Sequence, residues 1–522
     1  MIHRVLPAGR WFGGGAPARR AGGGILAVGG LAIVLAGLAV AGGSKVPGGL
    51  GVLLLVIVLG AIIVLACLRH PPIAVVFLLG TMFLRLALPH LIVADPFLIA
   101  WVVVLASAAG WMWQRRGTLP PVTFVEVVMG LYVLWSYSSM VLPHQYPALT
   151  YPLNGSVTKV SRFIETSTDI PFTMYLLGRR LFARESAIRL VLWSAVGFAA
   201  YSTLVSIDQF YAPSLVWPRY IVNAPAWPDR ANGVFNQPVA NGMVLIIGMI
   251  IAIMLATDRA EPTWRRCLLW VYVVPSALAV YLTHTRAIWL AFVLVLVFGV
   301  ILASGARAVF AGLLGTIALI VALNWSTFTS SDRAAGGVDS KSEVWDRLNA
   351  IATSIWAFKR EPWFGWGISR FVAVNTFHHQ QWNNDIPWVR GLGIPAHETE
   401  LGILVDLGLL GLLLWLCVIV ALILLLLQAY WILPSTGLAG RRMAFIGIGA
   451  LTTQIAAGAF ADLRLLDFPV CLVFLICGIA VGARDRERAA RKPKPPLWLS
   501  TAIPARPERM AGRAGPVPVG AP

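Results

Sequence analysis

The sequence contains little charge, because only 12% of its 522 residues are Asp, Glu, Lys or Arg, whereas 58% are hydrophobic. The mean hydropathy is +0.77. Soluble globular domains carry roughly twice this share of charge, so that class is excluded. Apolar runs of about 20 residues recur along the chain, and each is long enough to cross a bilayer as a helix. Short alternating segments would indicate a membrane barrel instead. The sequence therefore predicts an all-α polytopic membrane protein.

Cysteine is also scarce, and this excludes two further classes of protein. The five cysteines lie within or at the edge of apolar runs: Cys67, Cys267, Cys417, Cys471 and Cys477. None falls in the longest polar segment of the chain. We therefore expect neither a disulfide framework nor a cysteine-rich metal site.

Acidic residues are outnumbered, which gives a formal net charge of +18. Such a surplus can indicate nucleic-acid binding, but its distribution follows the apolar runs. Basic residues fall on alternate connections, starting before the first span, as the positive-inside rule requires of cytoplasmic segments. They include Arg4, Arg10, Arg19, Arg20, Arg115, Arg116, Arg179, Arg180, Arg184, Arg189, Arg259, Arg265, Arg266, Arg441 and Arg442. This pattern favours a topology signal over a nucleic-acid partner.

We predict about 12–14 transmembrane helices. The fullest assignment places them near 24–43, 49–68, 72–90, 95–114, 122–142, 168–184, 187–207, 236–256, 266–283, 286–304, 307–325, 402–431, 442–461 and 465–483. An even number of spans puts both termini in the cytoplasm. The first apolar run follows basic residues, as in a signal peptide, but it is long and many spans follow, so we expect an uncleaved anchor.

Five regions follow from this pattern. They are a basic cytoplasmic N-terminus at 1–23, a helical body at 24–325, a periplasmic loop at 326–401, C-terminal membrane helices at 402–483, and a disordered basic cytoplasmic tail at 484–522. We call residues 326–401 the long loop. Its apolar residues Val344, Leu348, Ile351, Ile355 and Phe358 recur at intervals of four and three, which predicts an amphipathic helix. Ser340 and Glu343 suit a capping box for it.

The long loop is rich in tryptophan, and two of these residues lie in a polar stretch. Trp382 and Trp388 flank several amides and Asp385. An aromatic belt at the membrane interface explains such residues, whereas a surface for a polar ligand such as a sugar explains their polar neighbours. Both interpretations stay open.

Arginines on the predicted outer side are the first candidates for a binding site. Arg230 and Arg286 precede long apolar helices, and Arg85 falls within a predicted span. A cation at membrane depth is costly and indicates function, although residues near helix ends can snorkel to the interface. Guanidinium groups match phosphate oxygens, so a lipid-linked diphosphate suits all three arginines.

His397 is the candidate catalytic residue, since imidazole is partly neutral near pH 7 and can accept a proton. It lies where the long loop re-enters the membrane, beside Glu398 and Glu400. These three residues could instead bind a metal, but a zincin motif needs a second histidine, so we expect no metal. The two glutamates are assigned to acceptor binding or to support of the base.

Four short motifs together are typical of one family. They are Arg230 to Ala240, Thr283 to Ala287, Glu361 to Gly367, and His397 followed by Asp406, Gly408 and Gly411. In order and spacing the chain resembles the bacterial O-antigen ligases and the related O-antigen polymerases. The resemblance spans about residues 230–411.

This resemblance implies a GT-C-like fold in the bacterial inner membrane, with a periplasmic active site and no cofactor. It implies a metal-independent, inverting glycosyltransferase that moves a glycan from undecaprenyl diphosphate to an acceptor hydroxyl. By matching position, His397 is the implied base, while Arg230 and Arg286 are the implied diphosphate ligands. The chain departs from the family at Glu398, Glu400 and His284.

The acceptor stays open among lipid A core for a ligase, a second lipid-linked glycan for a polymerase, and protein for an O-oligosaccharyltransferase. We place the ligase first. A transporter of the same lipid-linked saccharide is the non-enzyme alternative, although alternating access needs no long loop bearing a histidine.

Overall fold

A computed structural model describes residues 63, 66–87, 96–114, 121–146, 152–153, 156–157, 159–332, 336–339 and 341–491. Helices dominate this part of the chain. In chain order they are α1 Pro71–Phe83, α2 Pro96–Gln114, α3 Phe124–Val141, α4 Val160–Ile164, α5 Ile170–Leu181, α6 Glu185–Tyr211, α7 Tyr220–Asn223, α8 Pro238–Ala256, α9 Thr263–Leu282, α10 Arg286–Leu302, α11 Arg307–Leu323, α12 Trp325–Phe328, α13 Ser342–Arg360, α14 Phe371–Phe377, α15 Thr399–Ile432, α16 Met443–Gly458 and α17 Asp467–Arg491.

Shorter elements join these helices. A π-helical turn, Glu165–Asp169, links α4 to α5, and a second one, Leu438–Arg442, leads into α16. Single 3-10 turns lie at Arg85–Ala87, Pro213–Leu215, Gly233–Phe235 and Leu463–Leu465. Two strands of two residues each, β1 Pro152–Leu153 and β2 Ser156–Val157, pair antiparallel.

The length and apolarity of the helices confirm the predicted class of fold. Within the described residues, seven helices are long and apolar enough to cross a membrane: α2, α3, α6, α8, α9, α15 and α17. The shorter apolar helices α1, α10 and α11 accompany them. The chain is an all-α polytopic membrane protein.

The centre of the bundle is formed by α8 and α17, which are buried along almost their whole apolar length. Helix α17 packs closely on α5 through glycines. A Cβ on Gly478 would lie 2.2 Å from the Tyr175 carbonyl oxygen, and one on Gly178 would lie 2.4 Å from that of Leu475. Small residues let two backbones approach in this way where both helices are apolar and dispersion must drive packing.

Helix boundaries agree with the predicted spans to within a few residues from 95–114 to 442–461, and the spans on either side of this range differ. Helix α1 ends at Phe83, short of the predicted end at residue 90, and Arg85 lies just beyond it in a 3-10 turn. Helix α17 continues to Arg491, so residues 484–491 are helical where a disordered tail was expected. The predicted span 24–43, most of 49–68, and residues 492–522 lie outside the described residues.

Several basic residues assigned to the cytoplasmic side bind acidic partners. Arg179 donates from Nε to Asp485 at 2.8 Å, and Arg442 pairs with Asp258 at 2.9 Å. These pairs connect helices that are far apart in sequence. The arginines therefore tie the bundle together at this end as well as contributing to its charge.

The long loop has helices of its own. Helix α13 lies where the spacing of apolar residues predicts one, and α14 packs against it. Two buried asparagines replace regular backbone pairing in the connections. Asn349 Nδ2 donates to the carbonyls of Pro387 and Arg390, and Asn375 Nδ2 donates to those of Gly391 and Ile394. Buried carbonyls need such donors when no sheet or helix supplies them.

Candidate active site

His397 lies at the junction of the long loop and α15. Its backbone is left-handed, with φ 54°, which is uncommon for a residue other than glycine. Glu398 is the N-cap residue in extended conformation, and the helix begins at Thr399. This left-handed residue turns the chain sharply before the helix starts. Such conformations persist only where the surrounding structure holds them in place, and they cluster at functional sites.

Thr399 fixes the start of α15 against the turn that joins α16 to α17. Its Oγ1 donates to the Ala461 carbonyl at 3.0 Å and accepts from the Leu463 backbone N–H at 3.1 Å. The hydroxyl is buried, and it both donates and accepts a hydrogen bond. Because Thr399 is two residues from His397, this anchor also limits the position of the imidazole.

The segments that carry Arg230 and Arg286 are bonded to each other. The Ala231 N–H donates to the Leu282 carbonyl at 2.8 Å. His284 Nδ1 lies 2.7 Å from the Asp229 carbonyl, and because a carbonyl can only accept, this nitrogen carries the proton. His284, one of the departures from the family pattern, also has a positive φ of 43°. The two arginines are thus held in fixed register.

Arg347, on α13, interacts electrostatically with both of these arginines and with His397. Burial lowers the pKa of its guanidinium, and repulsion from Arg286 and Arg230 lowers it further, whereas Glu398 and Asp346 oppose the change. Its guanidinium carbon also lies 5.4 Å from the centre of the Phe460 ring. The structure therefore brings three arginines together, one of which the sequence analysis did not single out.

The environment of His397 favours the neutral imidazole. Burial is the main cause that lowers the pKa of His397, and the positive charge of Arg347 lowers it further. Asp346 and Asp462 act in the opposite direction. A neutral imidazole at pH 7 can accept a proton, which is what a general base requires.

Glu398 and Glu400 lie beside this group with different surroundings. Burial raises the pKa of Glu398, the nearby Glu400 raises it further, and Arg347 opposes both. Glu400 lies in the first turn of α15, where an acidic residue is favoured by the helix dipole. Among the described residues, no three His, Cys, Asp or Glu side chains converge as metal ligands.

Arg85 takes part in another set of contacts. Its guanidinium donates to Asp467 at 2.7 Å and lies 4.9 Å from the centre of the Phe97 ring. The same ring lies 4.1 Å from Arg162. The ion pair joins the end of α1 to the start of α17. A diphosphate role for Arg85 stays a prediction.

Asp406 connects the long loop to the membrane helices. Its buried carboxylate accepts from the backbone N–H groups of Ser369, Arg370 and Phe371, at 3.2, 3.1 and 2.9 Å. These N–H groups precede and open α14, so the carboxylate caps that helix. Arg464 Nη1 donates a fourth hydrogen bond to the Asp406 carboxylate, at 2.8 Å.

Two turns into α15, Gly408 interrupts the helix with φ 68°. The interruption frees two carbonyls that a regular helix would use. The Val405 carbonyl accepts from the Trp366 N–H at 2.8 Å, and the Asp406 carbonyl accepts from the Gly367 N–H at 2.9 Å. The motif Glu361 to Gly367 is therefore bonded to α15 through the carbonyls of Val405 and Asp406.

Trp382 and Trp388 remain partly exposed, at 47% and 53%. The Trp382 backbone N–H donates to Asn349 Oδ1 at 2.9 Å, and the Trp388 backbone carbonyl lies 2.7 Å from His379 Nε2. The backbone at both positions is held in place while the rings stay accessible. This geometry is compatible with both interpretations of these residues.

Only a weak signal in the sequence points to Arg347. It lies four residues after Glu343, on the polar face of the predicted amphipathic helix, where charged residues are expected on any exposed surface. What distinguishes it is burial beside Arg230 and Arg286, which are distant in sequence. Glu343, predicted to belong to a capping box, pairs with Arg230, and Ser340, its predicted partner in that box, lies outside the described residues.

The apolar spanning helices define a membrane protein, and its long loop brings an arginine close to two further arginines and to a histidine whose pKa is lowered. Residues 271–416 match the sequence model of a family described as O-antigen ligase, well under half of the chain. The match includes Arg286, Arg347 and His397, and it confirms the family resemblance. Members of this family are glycosyltransferase-like ligases and polymerases that act on glycans. A comparison with curated proteins found no match.

Proposed function

We propose that this protein is a glycosyltransferase of the O-antigen ligase type, which moves a glycan from undecaprenyl diphosphate to a hydroxyl of lipid A core. The active site lies on the periplasmic face of the bacterial inner membrane, and both termini are cytoplasmic. The observation that carries the proposal is the gathering of Arg230, Arg286 and Arg347 beside His397. A cluster of arginines does not require a histidine beside it, and a histidine does not require the arginines.

The arginines bind the diphosphate of the donor. Three guanidinium groups that repel one another gain most from an anion of high charge density, and guanidinium forks match phosphate oxygens. Arg286 opens α10, so the positive end of that helix dipole adds to the field. The lipid chain of the donor extends along the apolar helices that begin at this level.

His397 acts as the general base. It takes the proton from the acceptor hydroxyl as the oxygen attacks the anomeric carbon, and the bond between that carbon and the diphosphate oxygen breaks. Attack from the side opposite the leaving group inverts the anomeric configuration, and no metal takes part. The arginines stabilise the charge that develops on the diphosphate, which is a form of electrostatic catalysis. Glu398 and Glu400 orient the acceptor.

The experiment uses the purified full-length chain in detergent with an undecaprenyl-diphosphate-linked oligosaccharide. Release of undecaprenyl diphosphate and product size are followed with core lipid A and without it. Release that depends on core lipid A supports the ligase, whereas a ladder of longer lipid-linked glycans without core lipid A would indicate a polymerase. Tight donor binding without release in either case would indicate a transporter and contradict the proposal.

A further inference from the structure

Glu343 is an acidic residue of the long loop that contacts the proposed donor site. Its carboxylate forms an ion pair with the Arg230 guanidinium, and the two side chains are 26% and 12% exposed. Arg230 also lies 4.6 Å from the centre of the Trp227 ring. One arginine of the cluster is therefore already bound to an anion that belongs to the chain.

The two partners of this pair are held differently. Gln209 Nε2 donates to the Arg230 carbonyl at 2.7 Å, and the Arg230 N–H donates to the Trp227 carbonyl at 3.2 Å. Arg230 is thereby fixed to the helical bundle. Glu343 lies in the first turn of α13, a helix of the long loop. The pair thus joins a fixed cation to an anion on a separate element.

We propose that Glu343 occupies the subsite of one phosphate group of the donor and is displaced when the donor binds. This inference rests on the proposed function. A diphosphate offers more charge and more acceptor oxygens than a carboxylate, so it competes well for a guanidinium. After displacement, Glu343 stays in the first turn of α13, where the helix dipole favours a negative charge. The displaced carboxylate is therefore stabilised locally.

Internal competition raises the affinity that any external anion must have in order to occupy the site. A competing group on the chain weakens the binding of every external anion by the same factor. A donor held by several arginines still binds, whereas the singly charged headgroup of phosphatidylglycerol, abundant at a bacterial membrane surface, falls below the affinity at which it occupies the site. Glu343 thus keeps Arg230 available for a diphosphate.

The test measures equilibrium binding of undecaprenyl diphosphate to the full-length chain in detergent. Glu343→Gln removes the competing charge and retains the shape of the side chain, so the dissociation constant should fall about tenfold, the contribution of one charge-assisted hydrogen bond. When the site is half-filled with diphosphate in each protein, phosphatidylglycerol should displace it from this variant at about a tenfold lower concentration than from the wild type. Glu343→Ser, which removes the carboxylate by truncation, should behave like Glu343→Gln.

Glu185→Gln is the matched control, because Glu185 also lies in the first turn of a helix and pairs with an arginine, Arg189, on the side assigned to the cytoplasm. It should bind like the wild type. Unchanged or weaker binding in both Glu343 variants would overturn the inference, since a residue that merely positions Arg230 weakens binding when lost. Unchanged binding in Arg230→Gln would contradict the proposed donor site itself, a separate result.

Discussion

Arg464 donates from one guanidinium nitrogen to Asp406 at 2.8 Å and from another to Asp462 at 2.7 Å, and all three side chains are almost completely buried. Asp406 belongs to α15, whereas Arg464 and Asp462 belong to the turn before α17. Because Asp406 also caps α14, this pair joins the long loop, the helix that follows His397 and the last spanning helix. The proposed base, His397, therefore lies at the start of a helix that is bonded to both the long loop and the last spanning helix.

We predict that Asp406→Asn strongly destabilises the protein. The substitution leaves Arg464 with one carboxylate and weakens three backbone bonds, and breaking a buried ion pair costs about 3–5 kcal/mol. Thermal unfolding in detergent would show this loss. Asp385→Asn removes the same charge from an exposed position of the long loop and should change the melting temperature little. Equal melting temperatures for both variants would contradict the structural role of Asp406.

Gly408→Ala tests the interruption of α15. A Cβ at this position would lie 2.3 Å from the Trp363 carbonyl oxygen, and the backbone is in the left-handed region. We expect a loss of more than about 1 kcal/mol in the free energy of unfolding, together with reduced turnover. Gly312→Ala is the matched control, because a Cβ at Gly312 meets no atom within 4 Å. That variant should be neutral or slightly stabilising, since alanine favours helix.

Thr399→Val removes the hydroxyl that anchors the start of α15 and keeps the shape of the side chain. The buried Leu463 N–H loses its acceptor, which costs about 1–3 kcal/mol. We expect a lower kcat with little change in the KM for donor, because the altered position is that of His397. Thr399→Ser should restore activity. Thr316→Val, which removes an exposed hydroxyl bonded within its own helix, should have no effect.

The pH dependence of turnover tests the environment of His397. The base must be neutral, so activity should fall as the pH decreases through a pKa that lies below the ordinary value of 6.5. Arg347→Gln removes a positive charge near the imidazole, so the pKa of His397 should rise and the acidic limb should move to higher pH. Asp346 and Asp462, which favour the charged imidazole, remain in this variant.

This pH profile is measured as kcat at saturating donor, which separates proton transfer from donor binding. Arg360→Gln provides the control, since it removes the same charge from the other end of α13. Its profile should match that of the wild type. A profile for Arg347→Gln that also matches the wild type would show that Arg347 does not act on the base.

Sequence reasoning predicted the helices well, because each apolar run of bilayer length has to form its hydrogen bonds internally. It also selected His397, Arg230 and Arg286, which stand out as charged or titratable residues beside apolar segments. Arg85 was placed within a span because the apolar run continues past it, whereas the helix ends at Phe83. The periodicity of a run does not show where a helix stops within it.

The contacts that assemble the site were beyond prediction from the sequence. Arg347 and Glu343 resemble any charged residues on the polar face of a helix, and only their approach to Arg230 and His397 distinguishes them. Gly408 lies in a run that reads as continuous helix, yet it frees the carbonyls that bind the long loop. These features depend on pairs distant in sequence, which a local pattern does not encode.

The most direct test of the account is the release of undecaprenyl diphosphate by His397→Asn, with donor and core lipid A both present. Asparagine tolerates the left-handed backbone at this position, so the fold should be retained while the base is lost. His70→Asn, at an exposed histidine, is the control. We predict normal donor binding and a loss of release of at least about 100-fold for His397→Asn, as expected for a general base. Release at the wild-type rate by His397→Asn would contradict the catalytic role of His397.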